Sequence, residues 1–279
     1  MPELPEVETV RRGLSSNVVG KKFKDIEVRH ERATSKNSIA PINSLKGAKV
    51  LAVKRRGKFM WFELNRPEVL VAHLGMSGQF LIQPKRAQDE KHLRVRFALK
   101  DGELRFIDQR TFGWLSVESM QDGVPTSASH IALDPFDPQF DLAKAVELFK
   151  SKRTQVKKAL LDQEVISGVG NIYADESLWR AKIHPETRIE KLTKTKVELL
   201  LTKAKEVMAE ALDQGGTSFD DLYINVNGES GYFDRSLAVY GQEGEPCPRC
   251  GAGIRRISFS NRSSHFCPKC QPTPRKSGS

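Results

Sequence analysis

Apolar residues recur with two different periods along this chain of 279 residues. From about residue 22 to residue 118 the pattern is that of strands, in runs such as KFKDIEVRH, AKVLAVKRR, KFMWFEL and VLVAHLGMSGQFLI. Leu93, Val95, Phe97 and Leu99 alternate with polar neighbours, and Asp101-Gly102 marks a tight hairpin into the next run. Ahead of these, MPELPEVETV predicts a helix over about Pro5–Leu14, because Pro suits a first turn and Glu3, Glu6 and Glu8 suit the positive end of a helix dipole. Beyond residue 138 the period becomes helical in FDLAKAVELFKS, TQVKKALLDQ, NIYADESLWRAKI and TKTKVELLLTKAKEVMAEALDQ. The expected class is α+β: a helix-led β-sandwich or barrel at 1–120, then a Pro-, Ser- and Asp-rich linker at 121–138. A helical domain follows at 139–241, ending in a Gly- and Asn-rich loop over about Thr217–Tyr240, then a cysteine-bearing segment at 242–271 and a flexible basic tail at 272–279.

Charge adds a partner to this picture. The chain has 45 Lys and Arg against 35 Asp and Glu, a formal charge of +10, which favours a polyanion. From Pro246 onward there are seven Lys or Arg and no acid, and the same stretch holds all four cysteines. No apolar run approaches the roughly 20 residues of a membrane helix, and the acidic start is unlike a secretory signal. The expectation is a soluble cytoplasmic protein with no membrane partner.

Cys247-x2-Cys250 and Cys267-x2-Cys270 have the spacing of two knuckles on one tetrahedral Zn2+. Four thiolates close the shell, so this metal is structural and leaves no position for a reacting water. It would hold the intervening hairpin GIRRISFSNRSSHF, which carries Arg255, Arg256 and Arg262, with Asn261-Arg262 near its tip.

SGVGNIYADE reads as a turn before a helix, with Asn171 as a cap and free N–H groups facing an anion. Lys152, Arg153, Lys157 and Lys158 precede it and favour a nucleic-acid backbone as that anion. At the N-terminus, removal of Met1 would leave Pro2 as a secondary amine beside Glu3.

Together PELPEVET, GKFMWFEL, HLGMSGQF, DQRTFG, GVGNIYADE and CPRC…CPKCQ stand in the order found in the formamidopyrimidine-DNA glycosylases, bacterial repair enzymes for oxidised purines. The chain resembles that family from Pro2 to Gln271. The resemblance implies a β-sandwich domain, a helix-two-turns-helix domain and a four-cysteine zinc finger with one structural Zn2+. It further implies a monomer that acts on damaged double-stranded DNA as a glycosylase and abasic-site lyase. By the same resemblance, Pro2 is the nucleophile, Glu3 its acid/base partner and Glu6 a neighbour of the damaged nucleoside. Lys58 matches the lysine of β-elimination and Arg262 the arginine of δ-elimination. His92, Arg110, Lys152 and Asn171 match DNA contacts, while Met76, Arg110 and Phe112 match side chains that fill the gap left by an everted base.

These residue types suit the chemistry. An α-amino group near pKa 8 is about a tenth neutral at pH 7, some two orders of magnitude more than a lysine. A secondary amine condenses with the opened sugar to a cationic iminium, an electron sink that promotes loss of the 3′ phosphate. Two alternatives remain: an endonuclease VIII type enzyme for oxidised pyrimidines, and a non-catalytic zinc-dependent DNA-binding protein. Leu4-Pro5 and the Met76, Arg110 and Phe112 set favour the purine branch, and the non-catalytic reading leaves Pro2, Glu3 and Lys58 without a purpose.

Overall fold

A computed structural model describes residues 2–36, 38–216 and 236–274. They group into two compact units, residues 2–130 with 214–216, and residues 131–213 with 236–274. The expected loop over Thr217–Tyr240 therefore lies outside the described residues as far as 235, and the tail does so from 275.

In the first unit, α1 (Leu4–Val18) extends beyond the predicted Leu14. Its last turn is polar in sequence, yet Ser16 Oγ and Asn17 Nδ2 donate to the carbonyls of Arg12 and Gly13 at 3.2 and 2.8 Å and so stay within the helix. Val7, Val10, Leu14 and Val18 form its buried stripe. The strands follow as β1 (Asp25–Val28), β2 (Val50–Arg56), β3 (Phe59–Leu64), β4 (Val69–His73), β5 (Gly78–Gln83), β6 (Leu93–Ala98), β7 (Glu103–Asp108) and β8 (Trp114–Glu118). They make two four-stranded antiparallel sheets, ordered β1-β6-β7-β5 and β2-β3-β4-β8. Leu93, Val95 and Phe97 point inward as their alternation predicts, with Arg94 and Arg96 on the other face. Phe62, Leu70 and Leu115 of one sheet share a single core with Phe80, Phe97 and Phe106 of the other and with the α1 stripe. Between β6 and β7 the turn closes from Leu99 N–H to the Gly102 carbonyl at 2.9 Å, and a side chain at 102 would press on the Gln83 carbonyl at 2.7 Å. A short hairpin of β9 (Met120–Gln121) and β10 (Val124–Pro125) ends this unit.

The second unit holds α2 (Leu142–Ser151), α3 (Val156–Leu161), α4 (Asn171–Ala181) and α5 (Lys194–Asp213), the four helices their periodicity predicts. A hairpin of β11 (Arg255–Phe259) and β12 (Arg262–Phe266) packs on α4. No helix of the described residues is long and apolar enough to cross a membrane.

Candidate active site and nucleic-acid interface

The first unit presents its start at the positive end of α1. Glu3 is the N-cap, Glu6 accepts its N–H at 2.8 Å, and the Glu3 side chain completes a reciprocal capping box with the Glu6 N–H. Both carboxylates are buried, and so is Pro2. The box fixes the backbone one residue after Pro2. Gly216 lies against Glu6, since a Cβ at 216 would stand 3.2 Å from Glu6 Oε1.

Lys58 sits in the turn between β2 and β3, half-buried, after Gly57. Its charge acts on His73, whose imidazole is pushed down to about 4, first by burial and then by Lys58 and Lys36. His73 lies parallel to Trp114 at 5.9 Å and edge-on to Phe59 at 5.0 Å, and its Nδ1 accepts the Gly75 N–H at 3.1 Å. That bond leaves Nε2 to carry the proton of the neutral ring. The His of HLGMSGQF escaped the sequence reading because a histidine among apolar residues gives no signal separate from packing.

Met76 and Phe112 are exposed by 39% and 49%, unusual for large apolar side chains, and Arg110 stands exposed with Nη1 3.9 Å from Met76 Sδ. Met76 and Arg110 are thus neighbours, and the Phe112 backbone lies against Gly75, next to Met76 in sequence. Arg110 and Phe112 stand between strands, since β7 ends at Asp108 and β8 begins at Trp114. The intervening turn, with Thr111 at φ +54°, orients them. His92 ends the loop that follows β5. Wholly buried Arg105 holds that loop by donating to the Ala87 and Gln88 carbonyls at 2.9 and 2.8 Å and to Glu90 at 3.0 Å. The His92 carbonyl itself accepts the Asp108 N–H at 3.0 Å.

In the second unit, Asn171, Tyr240, Arg256 and Arg262 line one open groove of about 720 Å3 with the tip of the finger hairpin. Ser260 and Asn261 form the tip, with Ser260 at φ +55°, and Arg262 opens the return strand as an exposed side chain. Two sequence expectations need correction. Asn171 is the first residue of α4 and not its cap, because extended Gly170 takes the cap position and Asn171 Nδ2 donates to the Ser263 carbonyl at 3.1 Å. Lys157 is no phosphate contact: it is wholly buried, 2.7 Å from Asp175 Oδ1 and 3.0 Å from the Ser263 carbonyl. Asp175 in turn accepts Ser264 Oγ at 2.7 Å and the His265 N–H at 2.8 Å, so the pair ties β12 to α3 and α4. Lys152, at the end of α2, meets Asp162 at 3.0 Å in a half-exposed pair. A pair so open to water adds little stability, and a phosphate competes for its lysine at small cost.

Glu176 grips the approach to the finger, accepting the N–H groups of Ala238, Val239 and Tyr240 at 3.1, 2.8 and 2.9 Å. Burial raises its pKa against those bonds. The ligand atoms of Cys247, Cys250, Cys267 and Cys270 all lie within 4.8 Å of one another. Four thiolates 2.3 Å from one tetrahedral ion stand about 3.8 Å apart, so the cluster fits a metal. Burial opposes ionisation of Cys247, but hydrogen bonds from Trp179 Nε1 at 3.4 Å and from the Arg249 and Cys250 N–H groups bring it down to about 6. Trp179 supports this ligand from outside the cluster, a role that a tryptophan in a helix does not announce in sequence.

Residues 1–115 match the family model described as the formamidopyrimidine-DNA glycosylase N-terminal domain, and residues 131–222 match the H2TH domain of the same enzyme. Residues 244–273 match the zinc finger found in FPG and IleRS. The formamidopyrimidine-DNA glycosylase of Rhodococcus erythropolis is 57% identical over 284 residues, covering 99% of this chain and 98% of the relative. This chain belongs to the formamidopyrimidine-DNA glycosylase family. Its relative from Streptomyces avermitilis is 54% identical across 99% of both chains. Among solved structures, a Lactococcus lactis FPG mutant bound to DNA containing Fapy-dG superposes with a TM-score of 0.87 at 34% identity, covering 98% of this chain and all of the other. A MutM complex with carbocyclic 8-oxo-G DNA gives 0.85 at 35% identity, with the same coverage. As a formamidopyrimidine-DNA glycosylase family member the chain has the expected architecture, a two-sheet unit led by a helix and a helical unit with a four-cysteine finger.

Proposed function

We propose that this chain excises oxidised purines from damaged double-stranded DNA and cleaves the resulting abasic site, with Pro2 as nucleophile once Met1 is removed. The observation that carries the reading is the buried N-terminal constellation, in which a capping box of Glu3 and Glu6 holds the residue after Pro2 at the positive end of α1. The Pro2 nitrogen forms a bond to C1′ of the damaged nucleoside, and the glycosidic electron pair leaves with the base. Glu3 delivers a proton to the sugar ring oxygen, and opening of the ring gives the iminium. Loss of a C2′ proton then expels the 3′ phosphate, a step assigned to Lys58, and loss of the 5′ phosphate by δ-elimination is assigned to Arg262. The base departs as a neutral molecule after protonation, and the iminium is hydrolysed to free Pro2.

Glu6 sits beside the damaged nucleoside. Met76 and Phe112 fill the place of the everted base while Arg110 bonds its orphaned partner, which offsets an extrusion cost of a few kcal/mol. His92, Lys152 and Asn171 contact the DNA backbone. One Zn2+ on Cys247, Cys250, Cys267 and Cys270 holds the finger hairpin and takes no part in the reaction. The enzyme works as a cytoplasmic monomer. Support comes from solved relatives in complex with DNA that contains Fapy-dG, carbocyclic 8-oxo-G or an abasic site.

The substrate class is tested by single-turnover excision from duplexes carrying 8-oxoguanine opposite cytosine or thymine glycol opposite adenine. A faster reaction with 8-oxoguanine is expected. A clear preference for thymine glycol would move the chain to the pyrimidine branch.

A further inference from the structure

The side chains of the base-replacing wedge lie on two chain crossovers, and one buried carboxylate fastens the two together. β4 and β8 are neighbours in one sheet, with His73 opposite Trp114, while β5 and β7 are neighbours in the other, with Gly78 opposite Asp108. The links 74–77 and 109–113 therefore pass side by side from sheet to sheet. Met76 stands on the first, Arg110 and Phe112 on the second. Asp108 is wholly buried where they meet. Its Oδ1 accepts Ser77 Oγ from the first link and the Arg110 N–H, at 3.1 Å, from the second. Its Oδ2 accepts the Gly113 N–H at 2.7 Å. Ser77 Oγ also accepts the Arg110 N–H at 3.1 Å, which closes a small ring across the links. The backbones touch as well, since a Cβ on Gly75, at φ +60°, would fall 2.5 Å from both Gly113 N and Phe112 C.

We infer that Asp108 is the positioning residue of the wedge: its carboxylate locks the Met76 crossover to the Arg110–Phe112 crossover, so that all three side chains enter the DNA as one preformed unit. The inference rests on the wedge reading given above. A carboxylate suits the place because it only accepts, and both of its oxygens face donors. An asparagine of the same shape must turn its NH2 toward either the Arg110 N–H or the Gly113 N–H, which removes one of the two bonds that hold the Arg110–Phe112 link to the buried side chain and loosens that link. Thr111 is held at φ +54°, a conformation an unfastened turn would leave. Loose crossovers would have to be ordered during base extrusion, and that cost falls on eversion rather than on the chemistry at the sugar.

The test compares single-turnover excision of 8-oxoguanine opposite cytosine with strand cleavage at a preformed abasic site, which has no base to extrude. The variants are Asp108→Asn, Ser77→Ala, Phe112→Ala and the Asp108→Asn/Phe112→Ala double. Relative to abasic cleavage, excision should fall about tenfold or more in Asp108→Asn and by a smaller factor in Ser77→Ala. In the double variant it should fall no further than in Phe112→Ala alone, because there is no wedge left to position. Multiplying effects of Asp108→Asn and Phe112→Ala, or an equal loss of both activities in Asp108→Asn and Ser77→Ala, would overturn the inference. Where Asp108→Asn fails to fold, Ser77→Ala with its own Phe112→Ala double carries the same comparison. Full excision by Phe112→Ala would remove the wedge reading itself and this inference with it, an outcome distinct from the other two.

Discussion

Glu8 follows Glu3 and Glu6 on the same helix, but its carboxylate does different work. It meets Arg11 and Arg12 on α1 and Arg55 on β2, at 2.8, 2.9 and 3.1 Å. Burial raises its pKa, and the three arginines more than offset that, bringing it down to about 2. A carboxylate with a lowered folded pKa stabilises the fold above its unfolded value, near 4.5, and loses that contribution as the pH falls toward 2. Its share is on the order of 2 kcal/mol. Glu8→Gln should therefore lower the melting temperature at pH 7 and flatten the loss of stability between about pH 4.5 and 2. An unchanged pH profile would show that the arginines do not hold this carboxylate. The three acids look alike in MPELPEVETV. What separates them is the first turn of the helix, where Glu3 and Glu6 close a capping box while Glu8 faces the sheet.

At the scale of elements, strand alternation and helix periodicity show in the sequence because each reports a buried face within one short segment. The Cys-x2-Cys knuckles are legible for the same reason, each setting its two ligands locally. Asp108, Ser77 and the paired crossovers were not legible, because contact between links 74–77 and 109–113 depends on how two sheets share β4, β5, β7 and β8. Lys157 misled in the opposite direction. Basic neighbours made it look like a phosphate contact, but only its partner on α4 shows that it is buried. The finger hairpin hangs on two kinds of tie, the Lys157–Asp175 pair and the metal cluster. Chelation should release about one Zn2+ per chain and weaken DNA binding about tenfold or more, read by equilibrium titration. Undiminished affinity after complete metal loss would show that the hairpin needs only its packing on α4.

At the scale of the whole molecule, a formal charge of +10 brings a polyanion to the surface but does not decide what happens there. A non-catalytic DNA-binding protein would need the basic finger, the groove beside Asn171 and the net charge. It would have no use for a proline fixed at the positive end of a helix ahead of a buried Glu3. The central claim is therefore chemical: the Pro2 amine forms a covalent iminium with the sugar of abasic DNA. Borohydride reduction of the protein on duplex DNA with one abasic site tests this directly, with the adduct located by mass spectrometry of the N-terminal peptide. A stoichiometric adduct on Pro2 is expected when Met1 is absent, none on Pro2 when Met1 is retained, and no more than a trace in Pro2→Gly, whose primary amine is a poorer substitute. Failure of the chain lacking Met1 to be trapped, or an adduct on a lysine instead, would contradict the central claim.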